Sequence, residues 1–481
     1  MHVPAVVIAG THSGVGKTTI TVALLAALRE HGICVQPFKV GPDFIDPSFH
    51  TRAAARTSRN LDGWMLSPEM NLAVFAQEAK GAVLAVIEGV MGLFDGRDGL
   101  TEAGSTAQMA KLIGAPVVLV LDASAMARSA AALVHGYESF DEALDLAGVV
   151  FNRVAGPGHF AYLREAVEAS CRARVLGWLP VDETIRIPER HLGLVMADEV
   201  LDEARLKALA EWVEAGLDVD ALVELARKRS RASGGGGQGA SKDAGRPPAG
   251  MRALRARVGV ARDRAFCFYY QDNLDLLASF GAEIVEFSPL SDARLPGALD
   301  GLYLGGGYPE LHAAALDANQ SMRADVAGFV RSGKPVYAEC GGLMYLTEAI
   351  IDAGGRAYSM VGALPTRARM QPRLAALGYA EVEGTDNEGW LRAGERARGH
   401  EYRYSLIDEM PEDVSRRYRV RTETGSRLEG FSKGALLASY VHLHFGSCPR
   451  FAARFVAACA ATTGRLTTED TEEKERQDHE K

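Results

Sequence analysis

The sequence predicts an α/β protein of two domains. Short apolar runs alternate with amphipathic helical patterns in both halves, and most of these runs lack the polar alternation of half-buried strands. Bare apolar runs of this kind are typical of parallel strands that are buried on both faces. The candidate strands are Ala5–Ala9, Val83–Ile87, Pro116–Leu121 and Gly148–Phe151 in the first half, and Val258–Ala261, Glu283–Phe287, Gly301–Leu304 and Pro335–Ala338 in the second. Strands that alternate with helices indicate a doubly wound parallel sheet with right-handed crossovers.

The boundary between the domains lies near the middle of the chain. Residues 230–250 read SRASGGGGQGASKDAGRPPAG, a composition that cannot bury enough apolar surface to offset its ordering entropy. The last residues are dense in acidic and basic side chains and predict a disordered tail. We therefore expect a first domain at 1–229, a flexible linker at 230–250, a second domain at 251–465 and a charged tail at 466–481.

The composition excludes several classes of protein. The net charge is −9 and no long basic run is present, which argues against nucleic acid as a partner. No apolar stretch approaches the ~20 residues of a membrane helix, and the N-terminus has no signal-peptide pattern. The 6 cysteines form no C-x-x-C pair, so neither a disulfide framework nor a zinc site is indicated. We expect a cytoplasmic protein that does not bind membranes.

A phosphate-binding loop follows the first strand, in the sequence GTHSGVGKTT that starts at Gly10. A glycine-rich turn that enters a helix presents backbone N–H groups to phosphates, while the lysine reaches the β/γ-phosphates and the following hydroxyl binds Mg²⁺. The strict pattern has glycine where this chain has Thr11, but the order of strand, turn and helix is retained. The helix after the loop is expected to end near Gly32. The predicted nucleotide-binding residues are Gly14, Gly16, Lys17, Thr18, Thr19 and Asn152.

Polar residues at the ends of other strands of the first domain complete this candidate site. Glu88 follows the run Val83–Ile87, where an acid next to the phosphate-binding strand can bind Mg²⁺ together with Thr18; the alternative is a capping acid. Asp95 is interpreted as a ligand of a second cation, as a group that positions a substrate carboxylate, or as a cap. Asn152 ends Gly148–Phe151 and is placed either to read a base edge or to cap the strand.

A candidate nucleophile occurs in the second domain at Cys340. The sequence around it predicts a strand, a sharp turn and a helix, and the small residues Ala338 and Gly342 flank the cysteine. Such an elbow holds its nucleophile in a strained, exposed conformation at a helix N-terminus, a position expected to lower the pKa of the thiol. A lone cysteine is ordinarily a buried small hydrophobe, and the elbow is what favours catalysis here.

A base for this cysteine is expected in Ser439–Phe445, which the alternation predicts to be a strand with two histidines on one face. We favour His442 over His444. Many cysteine–histidine amidotransferases have a glutamate two residues after the histidine, and here that position is His444, so the sequence predicts a dyad. The glycine run that begins at Gly305 offers N–H donors for an oxyanion hole, or is a plain flexible loop. The predicted oxyanion-hole residues are Gly306, Gly307 and Gly341.

Together these motifs resemble the cobyrinic acid a,c-diamide synthase family of corrinoid biosynthesis. The resemblance covers nearly all of the chain outside the linker and the tail, and it rests on GTHSGVGKTT, KVGPDFIDP, EGVMGLFDG, YLGGGYPE, AECGGLMYL and SYVHLHF, in that order. The first half is similar to dethiobiotin synthetase and its P-loop relatives, and the second to class I-type glutamine amidotransferases. The linker and the tail are not part of the family pattern.

The resemblance implies a ligase that uses ATP, Mg²⁺ and glutamine to convert the a and c acetate groups of cobyrinic acid to amides through an acyl phosphate. It implies that Cys340 is the glutaminase nucleophile, that His442 activates it, and that Thr18 and Glu88 bind the metal. It places Asp43, Asp46 and Asp95 near the metal or the substrate carboxylate. The implied partners are small molecules, glutamine and the tetrapyrrole, and a homodimer is an open alternative to the monomer.

Other interpretations stay open on the sequence. The same reaction on hydrogenobyrinic acid or another tetrapyrrole is one, and cobyric acid synthase, which amidates other side chains of the ring, is a second. A P-loop switch ATPase with an inactive amidotransferase-like binding module is the alternative from a different class of protein. The presence of both Cys340 and His442 favours the enzyme.

Overall fold

The computed structural model describes residues 3–185, 197–232 and 255–462. The chain forms two compact units, Met1–Ala244 and Gly245–Lys481, and the α/β fold class predicted for both halves is confirmed. The last helix of the first unit extends to Ala232, three residues into the segment that the sequence assigned to the linker. The rest of that segment and the predicted tail lie outside the described residues. Within the described ranges, no helix has both the length and the apolar character needed to cross a bilayer.

The first unit is built on one sheet of seven parallel strands. Its strands are β1 Ala5–Gly10, β2 Val35–Val40, β3 Arg59–Leu61, β4 Leu84–Glu88, β5 Val117–Asp122, β6 Leu146–Asn152 and β7 Arg174–Leu179. They are arranged in the order β3-β2-β4-β1-β5-β6-β7. The four strands predicted here are found, whereas β2, β3 and β7 were not predicted. Strand β2 contains Gln36 and Lys39, which interrupt its apolar run although both side chains are buried.

Helices cover both faces of this sheet. They are α1 Lys17–Glu30, α2 Asp46–Ala54, α3 Pro68–Glu78, α4 Thr106–Ile113, α5 Ser129–Phe140, α6 Pro157–Ser170, α7 Ala197–Val200, α8 Glu203–Gly216 and α9 Val219–Ala232. Alternate residues of β1, namely Ala5, Val7 and Ala9, join a core cluster with residues of α3 to α6. Helix α1 packs instead against α2 and α8. Because successive side chains of a strand point to opposite faces, this second group of helices covers the other face.

The register of the strands brings the polar residues of the first unit to one edge of the sheet. Ile8 near the end of β1 lies beside Glu88, the last residue of β4, and Glu88 in turn lies beside Lys39 of β2. The phosphate-binding loop leaves β1 at this carboxyl edge. In open parallel sheets, ligands bind outside the carboxyl ends of the strands.

The second unit contains a ten-stranded mixed sheet and a four-stranded sheet. Its strands are β8 Ala256–Ala261, β9 Ala282–Phe287, β10 Gly301–Leu304, β11 Val336–Glu339, β12 Ala349–Ile351, β13 Ala357–Ser359, β14 Arg367–Met370, β15 Ala376–Gly384, β16 Arg396–Arg403, β17 Ser405–Ile407, β18 Ser415–Thr422, β19 Gly425–Lys433, β20 Leu436–Ser439 and β21 His442–Leu443. Its helices are α10 Gln271–Ser279, α11 Ala313–Ala318, α12 Gln320–Arg331, α13 Gly341–Leu346 and α14 Pro449–Ala461, with a 3₁₀ turn at Phe445–Ser447.

The large sheet has a parallel half and an antiparallel half. Its order is β21-β16-β15-β18-β19-β20-β11-β10-β8-β9, and the five strands from β20 to β9 run parallel to one another. The four candidate strands predicted between Val258 and Ala338 all belong to that parallel portion. The remaining strands of the sheet pair antiparallel. Of these, β15, β16, β18 and β19 were not predicted, since charged residues interrupt their apolar pattern, as in SRRYRVRT of β18.

The single strand predicted over Ser439–Phe445 is wrong. Strand β20 ends at Ser439, where it pairs with β11, and β21 comprises only His442 and Leu443, paired with β16. The segment therefore exchanges one neighbouring strand for another within a few residues. Alternating hydrophobicity reports which side chains are buried, and it carries no information about which strand the backbone pairs with.

Candidate active sites

The phosphate-binding loop joins β1 to α1 and depends on its glycines. Gly14 and Gly16 have φ values of +81° and +102°, in the left-handed region where other residues are strained. Gly16 directly precedes α1, which begins at Lys17, so the loop leads into the N-terminus of a 14-residue helix. Thr19 lies in the first turn of that helix. The turn from strand to helix that the sequence predicts is therefore present, with Thr11 in place of the first glycine of the strict pattern.

The ammonium group of Lys17 lies between this loop and the loop after β4. Its Nζ donates to the carbonyl oxygen of Met91 at 2.6 Å and to that of His12 at 3.0 Å. Burial, and secondarily the charge of Lys39, lowers the pKa of Lys17 to about 8. Lys17 is thus a buried cation near neutral pH whose hydrogen-bond acceptors are neutral carbonyl groups. A phosphate oxygen would be a stronger acceptor for it.

Thr18 and Glu88, which the sequence assigned to the metal, are in direct contact. The Thr18 hydroxyl donates to Oε1 of Glu88 at 2.7 Å. Two neighbouring oxygen ligands of an octahedral Mg²⁺ at 2.0–2.1 Å lie roughly 3 Å apart, so this pair of oxygens fits such an ion. Among the residues described, no group of three or more His, Cys, Asp or Glu side chains forms a metal site. Few protein ligands are usual for Mg²⁺ bound with nucleotide phosphates, because the phosphates and water supply the others.

Two basic residues that the sequence analysis did not assign also contact Glu88. Lys39 Nζ lies 2.9 Å from Oε1 of Glu88 and 2.7 Å from Oδ2 of Asp46, and Nε2 of His50 lies 2.5 Å from Oε2 of Glu88. Burial raises the pKa of Glu88, but Lys39 and His50 outweigh it and hold the pKa below its usual value. The carboxylate is therefore ionised and ready to accept a cation. Asp46 and His50 are four residues apart on α2, a spacing that could have indicated His50.

The other polar residues assigned to this site bind backbone groups in the structure. Asp43 Oδ1 accepts the N–H groups of Ile45 and Asp46 at the start of α2. Asp95 Oδ2 accepts the N–H of Gly92 within its own loop, as the capping alternative expects. Asn152 donates from Nδ2 to the carbonyl of Val15 at 2.9 Å and accepts the N–H of Arg153 at Oδ1. Asn152 thus supports the phosphate-binding loop, and its contact with a base stays a prediction.

Cys340 stands at the turn between β11 and α13, as the elbow predicts. Its φ and ψ of +46° and −101° are strained for any residue with a side chain. A Cβ on Gly342 would overlap the carbonyl of Leu304, and one on Gly341 would lie 2.9 Å from Cδ of Pro309. Only glycine fits at these two positions, so the small residues after the cysteine are required by the packing of the elbow.

The electrostatic environment of Cys340 differs from the one expected. The side chain is 6% exposed, and burial raises the pKa of the thiol to about 12, with a further contribution from Glu310. The expectation that a helix N-terminus lowers this pKa is therefore wrong, because desolvation of the thiolate is the larger effect. Arg403 acts in the opposite direction. The resting nucleophile is a neutral thiol that needs a base.

His442 and His444 are both buried and have different neighbours. Burial lowers the pKa of each imidazole to about 3, so both are neutral and able to accept a proton near pH 7. The ring of His442 stacks on His400 with ring centroids 5.0 Å apart, and it lies against Gly306, where any Cβ would overlap its Cε1. His444 packs against Tyr270, and its Nδ1 accepts the N–H of Gly446.

The glycine loop after β10 connects the cysteine to His442. Gly306 contacts the His442 ring, and the N–H group of its neighbour Gly307 lies 3.1 Å from the Cβ position of Gly341, the residue after Cys340. The loop thus lies against the His442 ring at Gly306 and against the residue after Cys340 at Gly307. This contact with the loop is an observation in favour of His442, the histidine preferred from the sequence, over His444.

Two further charged residues near the thiol were not assigned from the sequence. Burial raises the pKa of Glu310, the last residue of the YLGGGYPE motif, to about 7. The Arg403 guanidinium lies over the ring of Tyr440 at 4.2 Å, and its Nε donates to Glu401 at 3.3 Å. Glu310 could have been noted from its motif, whereas nothing in the local sequence marks Arg403.

Comparisons with known proteins agree with this division into two sites. Residues 6–195 match the CobQ/CobB/MinD/ParA nucleotide binding domain, and residues 257–449 match the CobB/CobQ-like glutamine amidotransferase domain. A cobyrinate a,c-diamide synthase of Syntrophotalea carbinolica is 46% identical over 464 residues, which cover 95% of this chain and 99% of the relative. A protein of the same name from Priestia megaterium is 40% identical over 458 residues, covering 95% of this chain and 97% of the relative.

Proposed function

The chain belongs to the cobyrinate a,c-diamide synthase family, and we propose that it converts the a and c acetate carboxylates of cobyrinic acid to amides, using ATP and glutamine. One observation carries this proposal. A single chain contains a phosphate-binding loop with a buried lysine and a strained cysteine next to a glycine loop and a neutral histidine. Together these sites can supply the two steps that a glutamine-dependent amidation requires.

The first step is activation of the carboxylate. A carboxylate is a poor electrophile, and ATP supplies a phosphoryl group that turns it into an acyl phosphate with phosphate as leaving group. Positioning and neutralising the phosphoryl group is the task of the protein in such reactions. The loop of Gly14 and Gly16 offers N–H groups for this purpose, and Lys17 offers a buried cation.

We further propose that Mg²⁺ accompanies the nucleotide and is held by the hydroxyl of Thr18 and the carboxylate of Glu88. The short distance between these two oxygens and the ionised state of Glu88 support this role. Lys39 bridges the carboxylates of Glu88 and Asp46, and its contact with Oε1 of Glu88 helps to keep that oxygen beside Thr18.

The second step is release of ammonia from glutamine. His442 takes the proton of the Cys340 thiol as the sulfur attacks the side-chain carbonyl carbon of glutamine. The oxyanion that forms accepts N–H groups of the glycine loop and of Gly341. The C–N bond then breaks, ammonia leaves with the proton from His442, and water hydrolyses the remaining thioester to glutamate and free thiol. A thiol pKa of about 12 beside an imidazole pKa of about 3 disfavours a resting ion pair, so the proton moves during the attack.

Single variants at the two sites test this division of labour. Cys340→Ala should lose glutamine-dependent amidation by about 10³-fold or more and keep ammonia-dependent amidation, since it removes the nucleophile alone. Lys17→Ala should lose amidation from both nitrogen sources by roughly 10²–10³-fold, because the phosphoryl group is no longer neutralised. Product formation with glutamine and with ammonium salt is the measurement.

Cys448→Ala and Lys111→Ala are the matched controls. Cys448 is a cysteine of the same unit at the start of α14, and Lys111 pairs with Glu102 and Asp141 away from the phosphate-binding loop. Both controls should retain activity with either nitrogen source. Full activity of Cys340→Ala with glutamine would contradict the proposal. An absence of glutamine hydrolysis by the unmodified protein would favour the switch ATPase with an inactive amidotransferase module.

The choice of tetrapyrrole is tested separately. Purified protein is incubated with cobyrinic acid and with hydrogenobyrinic acid, and the products are analysed by mass spectrometry. Two carboxylate-to-amide conversions on cobyrinic acid are expected. Conversion of hydrogenobyrinic acid alone would show that the substrate is the metal-free ring.

A further inference from the structure

A buried carboxylate joins the three segments that form the cysteine site. Glu339 precedes Cys340 and is 2% exposed. Its Oε2 accepts the Tyr303 hydroxyl at 2.8 Å, and its Oε1 accepts the Tyr337 hydroxyl at 2.7 Å and the backbone N–H of Leu443 at 2.9 Å. Leu443 is the residue after His442. A buried carboxylate is costly unless it is hydrogen-bonded, and here three donors satisfy it.

The backbone N–H of Leu443 donates to a side chain, Glu339, and not to a neighbouring strand. Strand β21 contains only His442 and Leu443, and β16 is its partner. In an antiparallel pair, successive N–H groups of a strand point to opposite sides. The N–H of His444 points toward β16, because it donates to the carbonyl of Arg398 on that strand. The N–H of Leu443 therefore points away from β16. Glu339 is the acceptor on that side.

The network reaches each part of the site through a different strand. Tyr303 lies on β10, which leads into the glycine loop, and Glu339 ends β11, which leads into Cys340. The bond to Leu443 fixes the backbone next to His442. Because β21 is only two residues long, pairing with β16 by itself would hold it weakly, and two side chains add to that pairing: Glu339 accepts the N–H of Leu443, and Asn273 donates to the carbonyl of Leu443 at 2.7 Å.

We propose that Glu339 is a positioning residue that holds His442 within reach of the Cys340 thiol. This inference rests on the proposed glutaminase function of Cys340 and His442. Glu339 contacts Tyr303, Tyr337 and Leu443, which belong to one core cluster of the second unit, whereas Cys340 belongs to another cluster on the opposite face of the sheet. Glu339 acts through the backbone of β21.

Kinetics of Glu339→Leu and Glu339→Gln test the role. The leucine variant leaves the N–H of Leu443 without an acceptor, and we expect glutaminase kcat to fall about 10–100-fold, with KM for glutamine changed less than about threefold. In Glu339→Gln, the amide oxygen of the new side chain can still accept the N–H of Leu443, so this variant should retain more of kcat than the leucine variant. Ammonia-dependent amidation should stay within about twofold of the parent in both, because the phosphate site is untouched.

Two tyrosines of the same core serve as a matched pair. Tyr337→Phe removes a donor to Glu339 and should lower glutaminase kcat about threefold or more. Tyr418 is equally buried in this core, but its hydroxyl has no hydrogen-bond partner among the described residues, so Tyr418→Phe should leave kcat unchanged. Equal losses in the two phenylalanine variants would overturn the proposal, since they would reflect core packing.

Other outcomes also contradict a positioning role. A Glu339→Leu variant that keeps kcat within twofold would show that His442 is held by other contacts. A loss shared equally between kcat and KM, with no recovery in Glu339→Gln, would show a general structural role. Cys340→Ala, assayed in parallel, separates the proposed function from the role of Glu339. Glutaminase activity in Cys340→Ala would refute the proposed function. If Cys340→Ala is inactive, an unexpected result with the Glu339 variants contradicts only the positioning role of Glu339.

Discussion

At the scale of single residues, burial decides the protonation states in the cysteine site. The Cys340 thiol has a pKa raised to about 12, and the His442 imidazole has one lowered to about 3. Both shifts have the same cause, since a low-dielectric surrounding disfavours whichever form carries charge. The neutral pair avoids a resting thiolate, and a buried thiol is protected from adventitious oxidation and alkylation.

Single alanine variants compare His442 with His444. We expect His442→Ala to lower glutaminase kcat by roughly 10²–10⁴-fold, the usual effect of removing a general base, because its ring lies against the glycine loop next to Cys340. His444→Ala should lose less than about tenfold, since this ring packs against Tyr270. Initial rates of glutamate formation measure both. A larger loss at His444 would reverse the assignment.

At the scale of elements, both sites are built at turns where a parallel strand ends. Gly16 in the first unit and Cys340 in the second adopt positive φ at the residue before a helix. Such a turn directs the first N–H groups of the helix toward a ligand. The residue before the helix has a positive φ, which either requires glycine or strains the backbone of another residue. The loops contribute recognition groups, while the strands set the positions from which the loops leave.

A substitution in the glycine loop tests how closely its backbone approaches the histidine. Gly306→Ala adds a Cβ that overlaps the His442 ring, so glutaminase kcat should fall at least about tenfold as the ring is displaced. The control is Gly297→Ala, because a Cβ at Gly297 meets no atom within 4 Å. Glutaminase rates and thermal midpoints of both variants are compared. Normal activity in Gly306→Ala would mean that the ring position is not critical.

At the scale of the whole molecule, opposing titrations set the dependence of stability on pH. Burial raises the pKa of Glu310 and of Glu339 to about 7, whereas it lowers that of His442 and of His444 to about 3. Between about pH 3 and pH 6.5 the histidines bind protons in the unfolded chain but not in the folded chain, so in this interval they make stability rise with pH. The two glutamates have the opposite effect, and all four groups belong to the second unit.

The contribution of Glu339 can be isolated with Glu339→Gln. This carboxyl releases its proton near pH 4.5 in the unfolded chain and near pH 7 in the folded chain. Between these values the folded chain holds more protons, so rising pH lowers the free energy of unfolding, by about 3 kcal/mol over the interval. The glutamine side chain of the variant does not titrate, so its free energy of unfolding does not fall in this way. The thermal midpoint of the variant relative to the parent should therefore increase from pH 4.5 to pH 7, and a constant difference would contradict the assigned pKa.

The sequence alone was sufficient to predict the features that depend on residues close together in the chain. The two α/β units, the phosphate-binding loop and the turn at Cys340 were all predicted, because a buried parallel strand and a tight turn each require particular residue types within a few positions. Thr18 and Glu88 were expected to share one metal, and the structure brings their side chains into contact at the carboxyl edge of the sheet.

Tertiary structure decided what depends on residues far apart in the chain. It brought His50 to Glu88, placed His442 rather than His444 beside the glycine loop, and divided the predicted strand over Ser439–Phe445. It also reversed the expected pKa shift of Cys340. Local patterns record which side chains are buried, but partners and desolvation are set by the packing of distant segments, and these determine the charge and the reach of each catalytic group.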